Sequence, residues 1–377
     1  MEEQNKEESI EKTPEQIAEE ERLNEISELS KRGYQLLKEN LIEDAAVLFR
    51  KILDIDPNNN YALVGLGDAA RKQGKFRDAV RFYQQCLVTH QDNNYALFGL
   101  ADCYKALNQY SNAIEIWERY LEHDSSNVTV LTRVADAYRK VRDFRHSKEI
   151  YLKVLEMEEN NPYALIGLGH LHYDFREYEE ALKYWEKMLE VKRENVDIRV
   201  LTSLGNCHRK LKTFEHGIKY FDMALEQEPA NFYALFGMAD CYRGMDDHKS
   251  SLEYWKRILA IDPSNKVILT RVGDAYRQMK DFDAAEEYYH KALNIEFDVY
   301  AILGLALINK ARGNYKEAVD SLLGLLRNDQ KNHRLYTEIA ECYVAMGEKS
   351  KAIETLQNFQ RLGIRNVFVS QMLDNLR

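Results

Sequence analysis

Side chains able to make or break bonds are present in this sequence, but their spacing does not assemble a catalytic or metal site. Five cysteines occur, an odd number with no CxxC pair, so neither a disulfide framework nor a cysteine zinc site is expected. His170 and His172 lie two residues apart, which on a helix points them to different faces rather than toward one metal. The pairs Gly65/Gly67 and Gly167/Gly169 lack the third glycine and the preceding strand of a dinucleotide fingerprint. There is no P-loop and no HExxH. No catalytic residue, metal ligand or cofactor is therefore assigned. What does recur is a set of aromatic, acidic and arginine positions: Tyr95, Phe98 and Asp102, then Arg133 and Asp136. The same residue types return 138 positions later as Tyr233, Phe236, Asp240, Arg271 and Asp274. Aromatic and arginine anchors among paired charges suit recognition of a protein or peptide better than catalysis. The plainer reading of Asp and Arg three apart is an ion pair on a solvated helix face, worth about 0.2–0.5 kcal/mol each.

The stretches that carry these residues are near-copies. Residues 94–104 read NYALFGLADCY and residues 232–242 read FYALFGMADCY; residues 131–139 read LTRVADAYR and residues 269–277 read LTRVGDAYR. From Ile26 a shorter period of 34 is visible, with units at 26–59, 60–93, 94–127, 128–161, 162–195, 198–231, 232–265, 266–298, 299–332 and 333–366. Val196 and Asp197 are an insertion. The eighth position of every unit is Gly or Ala, and the twentieth is Ala, Ser or Gly. Small residues at fixed places on two successive helices allow close approach, so each unit is expected to be a packed helical hairpin. Position 24 is large: Phe49, Tyr83, Trp117, Tyr151, Trp185, Phe221, Trp255 and Tyr289, then Leu322 and Leu356. Pro57, Pro229 and Pro263 follow the second helix of their units, where proline stops it.

Composition agrees with a folded, nearly all-helical chain. The 377 residues are 45% hydrophobic and 30% charged, with only five prolines. The net charge is −10, and the first 25 residues hold ten glutamates against Lys6, Lys12 and Arg22. This is not the footprint of a nucleic-acid binder. No apolar run reaches the roughly 18 residues of a membrane helix. The acidic N-terminus is not a secretory signal, and a cytoplasmic location is expected. Residues 1–25 read as an acidic, flexible segment, although Thr13-Pro14-Glu15-Gln16 has the form of a helix start. Residues 367–377 read as a capping helix with Val367, Phe368, Met372 and Leu376 inward.

A 34-residue hairpin with small residues at 8 and 20, aromatics at 11 and 24 and Pro at 32 resembles the tetratricopeptide repeat (TPR), and the resemblance covers residues 26–366. It implies an all-α, right-handed TPR superhelix, an α-solenoid of helix-turn-helix repeats. His172 and His208 depart from the aromatic at position 11, as does Asn309. In this family the first helix of each hairpin lines a concave groove through positions 2, 5, 9, 12 and 13. By that resemblance Tyr95, Phe98, Asp102, Arg133 and Asp136, with Tyr233, Phe236, Asp240, Arg271 and Asp274, are groove residues, with Phe98 and Phe236 exposed. The resemblance further implies a non-enzymatic adaptor or scaffold for a protein or peptide, without nucleic acid or membrane insertion. By analogy, it could serve in a bacterial secretion, envelope or motility assembly. A structural subunit that self-assembles or caps a complex, and a regulatory subunit of an enzyme, are the alternatives. TPR clamps for acidic chaperone tails use Lys at groove position 5 and Asn at 9. Here position 5 is never Lys and position 9 is mostly Asp, so a ligand with basic and apolar side chains is expected instead.

Overall fold

Asparagines at the joints set where the helices begin. In the computed structural model, which describes residues 13–191 and 196–376, the side chains of Asn59, Asn93, Asn127, Asn161, Asn231 and Asn265 each accept the backbone N–H of the third helical residue that follows. This satisfies one of the amide donors a helix start leaves open. Each asparagine also donates through Nδ2 to an acid three residues earlier where one is present, as Asn161 does to Glu158 at 2.6 Å and Asn265 to Asp262 at 3.0 Å.

The chain divides into two compact units, Met1–Arg193 and Glu194–Arg377. The first contains five helical hairpins: α1 (Pro14–Lys38) with α2 (Ile42–Ile55), α3 (Asn60–Lys72) with α4 (Phe76–Thr89), α5 (Asn94–Ala106) with α6 (Tyr110–His123), α7 (Val128–Lys140) with α8 (Phe144–Met157), and α9 (Pro162–Asp174) with α10 (Tyr178–Val191). The second contains α11 (Ile198–Leu211) with α12 (Phe214–Gln227), α13 (Phe232–Gly244) with α14 (His248–Ile261), α15 (Lys266–Gln278) with α16 (Phe282–Ile295), α17 (Val299–Ala311) with α18 (Tyr315–Leu326), and α19 (His333–Ala345) with α20 (Lys349–Arg361), followed by α21 (Val367–Leu376). No strand occurs among the described residues. Each unit is a run of antiparallel hairpins stacked on their sequence neighbours, an α-solenoid architecture.

Between the two helices of every hairpin the chain turns through one residue of positive φ, at repeat position 15. Seven of these ten residues are not glycine: Asn40, Asn108, Arg142, Arg176, Lys212, Asp246 and Lys280, with φ from 59° to 68°. The turn closes as a helix C-cap does, for example with the Lys75 N–H on the Ala70 carbonyl at 2.9 Å.

The core of each unit is built on a series of rings. The position-24 side chains Phe49, Tyr83, Trp117, Tyr151, Trp185, Phe221, Trp255 and Tyr289 are fully buried or nearly so. Each phenyl or phenol ring lies against a small residue of its own first helix and against glycine at position 6 of the next repeat. A Cβ added at Gly65 would stand 2.5 Å from Phe49, and at Gly237 2.1 Å from Phe221. Where the ring is Trp, the next repeat carries Arg133, Ser203 or Arg271 at position 6. The alternation of glycine at position 6 thus follows the shape of the preceding ring.

At the N-terminal end residues 14–25 begin α1, which opens with a capping box between Thr13 and Gln16, at the helix start that Thr13-Pro14-Glu15-Gln16 offers; residues 1–12 lie outside the described residues. At the C-terminal end one expectation is corrected. In α21 the inward residues are Val369 and Leu373, with Met372 and Leu376 half-buried, whereas Val367 and Phe368 are each 68% exposed. The helix begins only at Val367, and its phase turns the first two side chains away from α20.

Candidate binding face

The residues singled out in the sequence all fall on first helices: α5 and α7 in the first unit, α13 and α15 in the second. Tyr95 and Tyr233 stand at the start of their helices and are 80% and 69% exposed; their counterparts Tyr61, Tyr163 and Tyr300 are exposed as well. Phe98 and Phe236 are half-buried, which corrects the expectation of free phenyl rings. Phe98 lies beneath the Arg133 guanidinium at 5.0 Å and edge-on to Tyr120 at 6.3 Å. Phe236 packs edge-on against Trp255 at 5.0 Å.

In the first unit Phe98, Asp102 and Arg133 form one cluster, because Arg133 Nη1 also donates to Asp102 Oδ1 at 2.6 Å. Arg71 approaches the other oxygen at 3.8 Å. Asp136 belongs to a separate cluster, accepting from the Tyr151 hydroxyl at 2.7 Å and from Arg139 at 3.3 Å. Tyr83 on Asp68 and Tyr289 on Asp274, each at 2.8 Å, repeat that arrangement. Where position 24 is Tyr, its hydroxyl therefore engages the position-9 acid of its own repeat. In the third and seventh repeats position 24 is Trp and has no such hydroxyl; there arginines hold the acid. In the second unit Asp240 is held by Arg209 at 2.6 Å and Arg243 at 2.7 Å. Burial pushes its carboxyl up, and the two arginines more than reverse this, leaving it below the usual carboxylate range.

The side chains of Asp102 and Asp240 are only 13% and 11% exposed, and both are already ion-paired. That corrects the expectation of a basic ligand side chain at these two carboxylates, since such a ligand would have to displace an arginine of the chain. The sequence pattern did not reveal how these side chains pair. The signal that could have found it is the coupling of Tyr or Trp at position 24 to the residue at position 6 of the next repeat.

The remaining chemistry-bearing side chains are packed. All five cysteines are buried, and burial pushes the Cys103 and Cys241 thiols up to about 12, far from the thiolate a nucleophile needs. His172 is buried with Nδ1 2.6 Å from Glu177, and His208 sits 2.9 Å from the Thr213 hydroxyl, stacked on Tyr220. Among the described residues no three His, Cys, Asp or Glu side chains gather as a metal set, and no helix is long and apolar enough to cross a membrane.

Family profiles described as tetratricopeptide repeat match residues 64–128, 233–265, 268–299 and 336–362. A profile described as anaphase-promoting complex subunit 5 matches residues 106–215, less than a third of the chain and within the same hairpins. No curated protein matches the sequence. Among solved structures, a tetratricopeptide repeat protein from Parabacteroides merdae is similar with a TM-score of 0.50 at 15% identity, covering 66% of this chain and 98% of that one. Pseudomonas aeruginosa pilF aligns with a TM-score of 0.47 at 18% identity, covering 56% and 96%. A MamA protein aligns at 0.41 and 22% identity, covering 45% and 92%. With the 34-residue hairpins, the ring-and-glycine core and four matched segments in both units, this chain belongs to the tetratricopeptide-repeat family.

Proposed function

We propose that the chain is a non-enzymatic adaptor that holds a protein or peptide partner on the face made by its first helices. The observation that carries this reading is the recurrence of exposed tyrosine at repeat position 2, as Tyr61, Tyr95 and Tyr163 in the first unit and Tyr233 and Tyr300 in the second, between 59% and 80% exposed. A single exposed tyrosine is ordinary, but the same exposed ring at one repeat position five times is a recurrent aromatic surface. Tyrosine supplies wide contact area and a hydroxyl at low entropic cost, which is why it anchors interfaces. On the helices of Tyr95 and Tyr233 the ion pairs at Asp102 and Asp240 fix neighbouring side chains in one geometry, which lowers the ordering cost of binding there. The hairpins occupy the described chain, and the family is in general a non-catalytic interaction fold. A cytoplasmic place and a bacterial assembly as the setting belong to the same reading.

The test is capture from native extract with the full chain. Wild type is compared with a Tyr95→Ala/Tyr233→Ala variant whose circular dichroism and melting are first matched to wild type. Exposed rings carry little fold energy, so the variant is expected to stay folded and to lose the partner. Unfolding of the variant would place these rings in the core, and an unchanged partner would move the interaction elsewhere. A second reading, self-assembly, is favoured by one observation, the exposed Val367 and Phe368 on α21. Sedimentation that depends on concentration, and is abolished by Phe368→Ser, would select it.

A further inference from the structure

We infer that the second unit carries an oxyanion site, suited to a phosphoryl group on a partner peptide, that the matching repeats of the first unit lack. Two copies of one sequence pattern differ here in how they spend an arginine. In the first copy Arg133 donates to Asp102 at 2.6 Å. Its counterpart 138 residues on is Arg271, which makes no hydrogen bond among the described residues; its nearest carboxylate oxygen, on Asp274, is 3.9 Å away. Two replacements account for this. Lys105 of the first copy is Arg243 in the second, and Arg243 takes Asp240 Oδ1 at 2.7 Å. Asp68 of the first copy is Asn206 in the second. Arg71 donates to Asp68 at 3.2 Å, whereas Arg209, meeting only a neutral amide at Asn206, reaches on to Asp240 Oδ2 at 2.6 Å. Both oxygens of Asp240 are then taken, one acid has been removed, and Arg271 is left over.

Arg271 lines a depression of about 330 Å³ together with Arg243, Arg277, Arg334, Tyr300 and Leu303. Asp246 and Asp274 are the acids of that lining, so four arginines face two carboxylates in a chain whose overall charge is −10. Arg334, on α19, resembles Arg271: it is 55% exposed, and its closest carboxylate oxygen, on Glu338, is 3.7 Å away. Two guanidinium forks from different helices thus have donors to spare. A fork matches a pair of oxyanion oxygens, and a tetrahedral dianion has oxygens for two forks where one carboxylate does not. Tyr300 and Leu303 give the depression an aromatic and apolar wall, which suits the side chain next to a modified residue rather than a free ion. This deepens the proposed peptide-binding reading and rests on it only for the peptide that bears the phosphate.

The test uses the full chain and three fluorescein-labelled pentapeptides, Ala-Leu-X-Leu-Ala, with X as phosphoserine, glutamate or serine, read by fluorescence polarisation at low salt. Inorganic phosphate is the competitor. The phosphoserine peptide is expected to bind at least tenfold tighter than the other two and to be displaced by phosphate. Arg271→Ala and Arg334→Ala should each weaken it by about tenfold, the loss of roughly one charge-assisted bond. Because neither side chain is hydrogen-bonded, both variants should melt as wild type does. Arg243→Lys keeps the charge, restores the first-copy pattern and should weaken binding as well. Equal binding of the glutamate and phosphoserine peptides would overturn the phosphoryl assignment. Phosphoserine binding unchanged in Arg271→Ala and Arg334→Ala, or absent altogether, would overturn the site. Neither failure touches the tyrosine test above, which reads capture of a partner without reference to phosphate.

Discussion

Gly237→Ala is the perturbation whose magnitude follows most directly from the packing. An added Cβ would stand 2.1, 2.4 and 2.6 Å from three atoms of the Phe221 ring. Carbon atoms rest at about 3.5–4.0 Å, so the ring would have to withdraw by roughly 1.4 Å. It has nowhere to go, because on the other side it lies against Gly205, where an added Cβ would be 2.7 Å from the same ring. Phe221 is fully buried. Overpacking of a filled core costs about 1–3 kcal/mol. Alanine regains up to about 1 kcal/mol of helix propensity over glycine. The net is a loss of about 0–2 kcal/mol, against a gain at an unobstructed glycine. Gly324 is the internal control: it lies in α18, and an added Cβ there meets nothing within 4 Å. Gly324→Ala should therefore stabilise by about 0.5–1 kcal/mol. The assay is urea unfolding of the full chain followed by circular dichroism, with amide exchange of the α12 and α13 peptides to locate the effect, since repeat arrays need not unfold in one step. Phe221→Leu added to Gly237→Ala should recover part of the loss, as expected for residues in contact. If Gly237→Ala stabilises as Gly324→Ala does, the ring is not clamped between two glycines and the reading of position 6 fails.

Other outcomes follow from the same structure. Burial, and then the neighbouring His216, hold His208 below the usual histidine range. The unfolded chain therefore takes up that proton first, and stability should fall as pH drops below about 6.5 through the lower folded value; His208→Tyr, which restores the usual ring at position 11, should flatten that fall in thermal melts between pH 7.5 and 5. Asp240 sits below the usual carboxylate range, so its contribution is complete at neutral pH and lost as pH falls below about 4; Asp240→Asn should lower stability at pH 7 and remove part of the acid slope in urea titrations. Lys280 holds a left-handed turn with φ of 62°, and Lys280→Gly should raise stability by about 0.5–1 kcal/mol in the same assay, a left-handed cost removed and partly offset by chain entropy. Trp117→Ala should cost about 3–5 kcal/mol, as for any fully buried large ring.

The helical hairpins were legible because their determinants are local and periodic: small residues at 8 and 20, a ring at 24 in the first eight repeats, and asparagine before most first helices. The turn at position 15 was not, because seven of its ten residues are Asn, Asp, Arg or Lys and only the glycines advertise positive φ. The proposed face was picked out in the sequence only as recurring residue types. Its pairing was not, because whether Asp102 or Asp240 is free depends on how far arginines reach from neighbouring repeats. Phe98 and Phe236 read as exposed from their position, yet Arg133 covers one and Trp255 flanks the other. The loose state of Arg271 could be found only by comparing hydrogen bonds between two near-identical stretches.

The most direct test of partner binding on the first-helix face is site-specific photocrosslinking in native extract. A photoreactive benzoylphenylalanine is placed singly at Tyr95 and Tyr233, on first helices, and at Val88, an exposed residue of the second helix α4. Covalent adducts of one common mass from positions 95 and 233, and none from 88, are the expected result. Adducts from position 88, with none from 95 or 233, would contradict it.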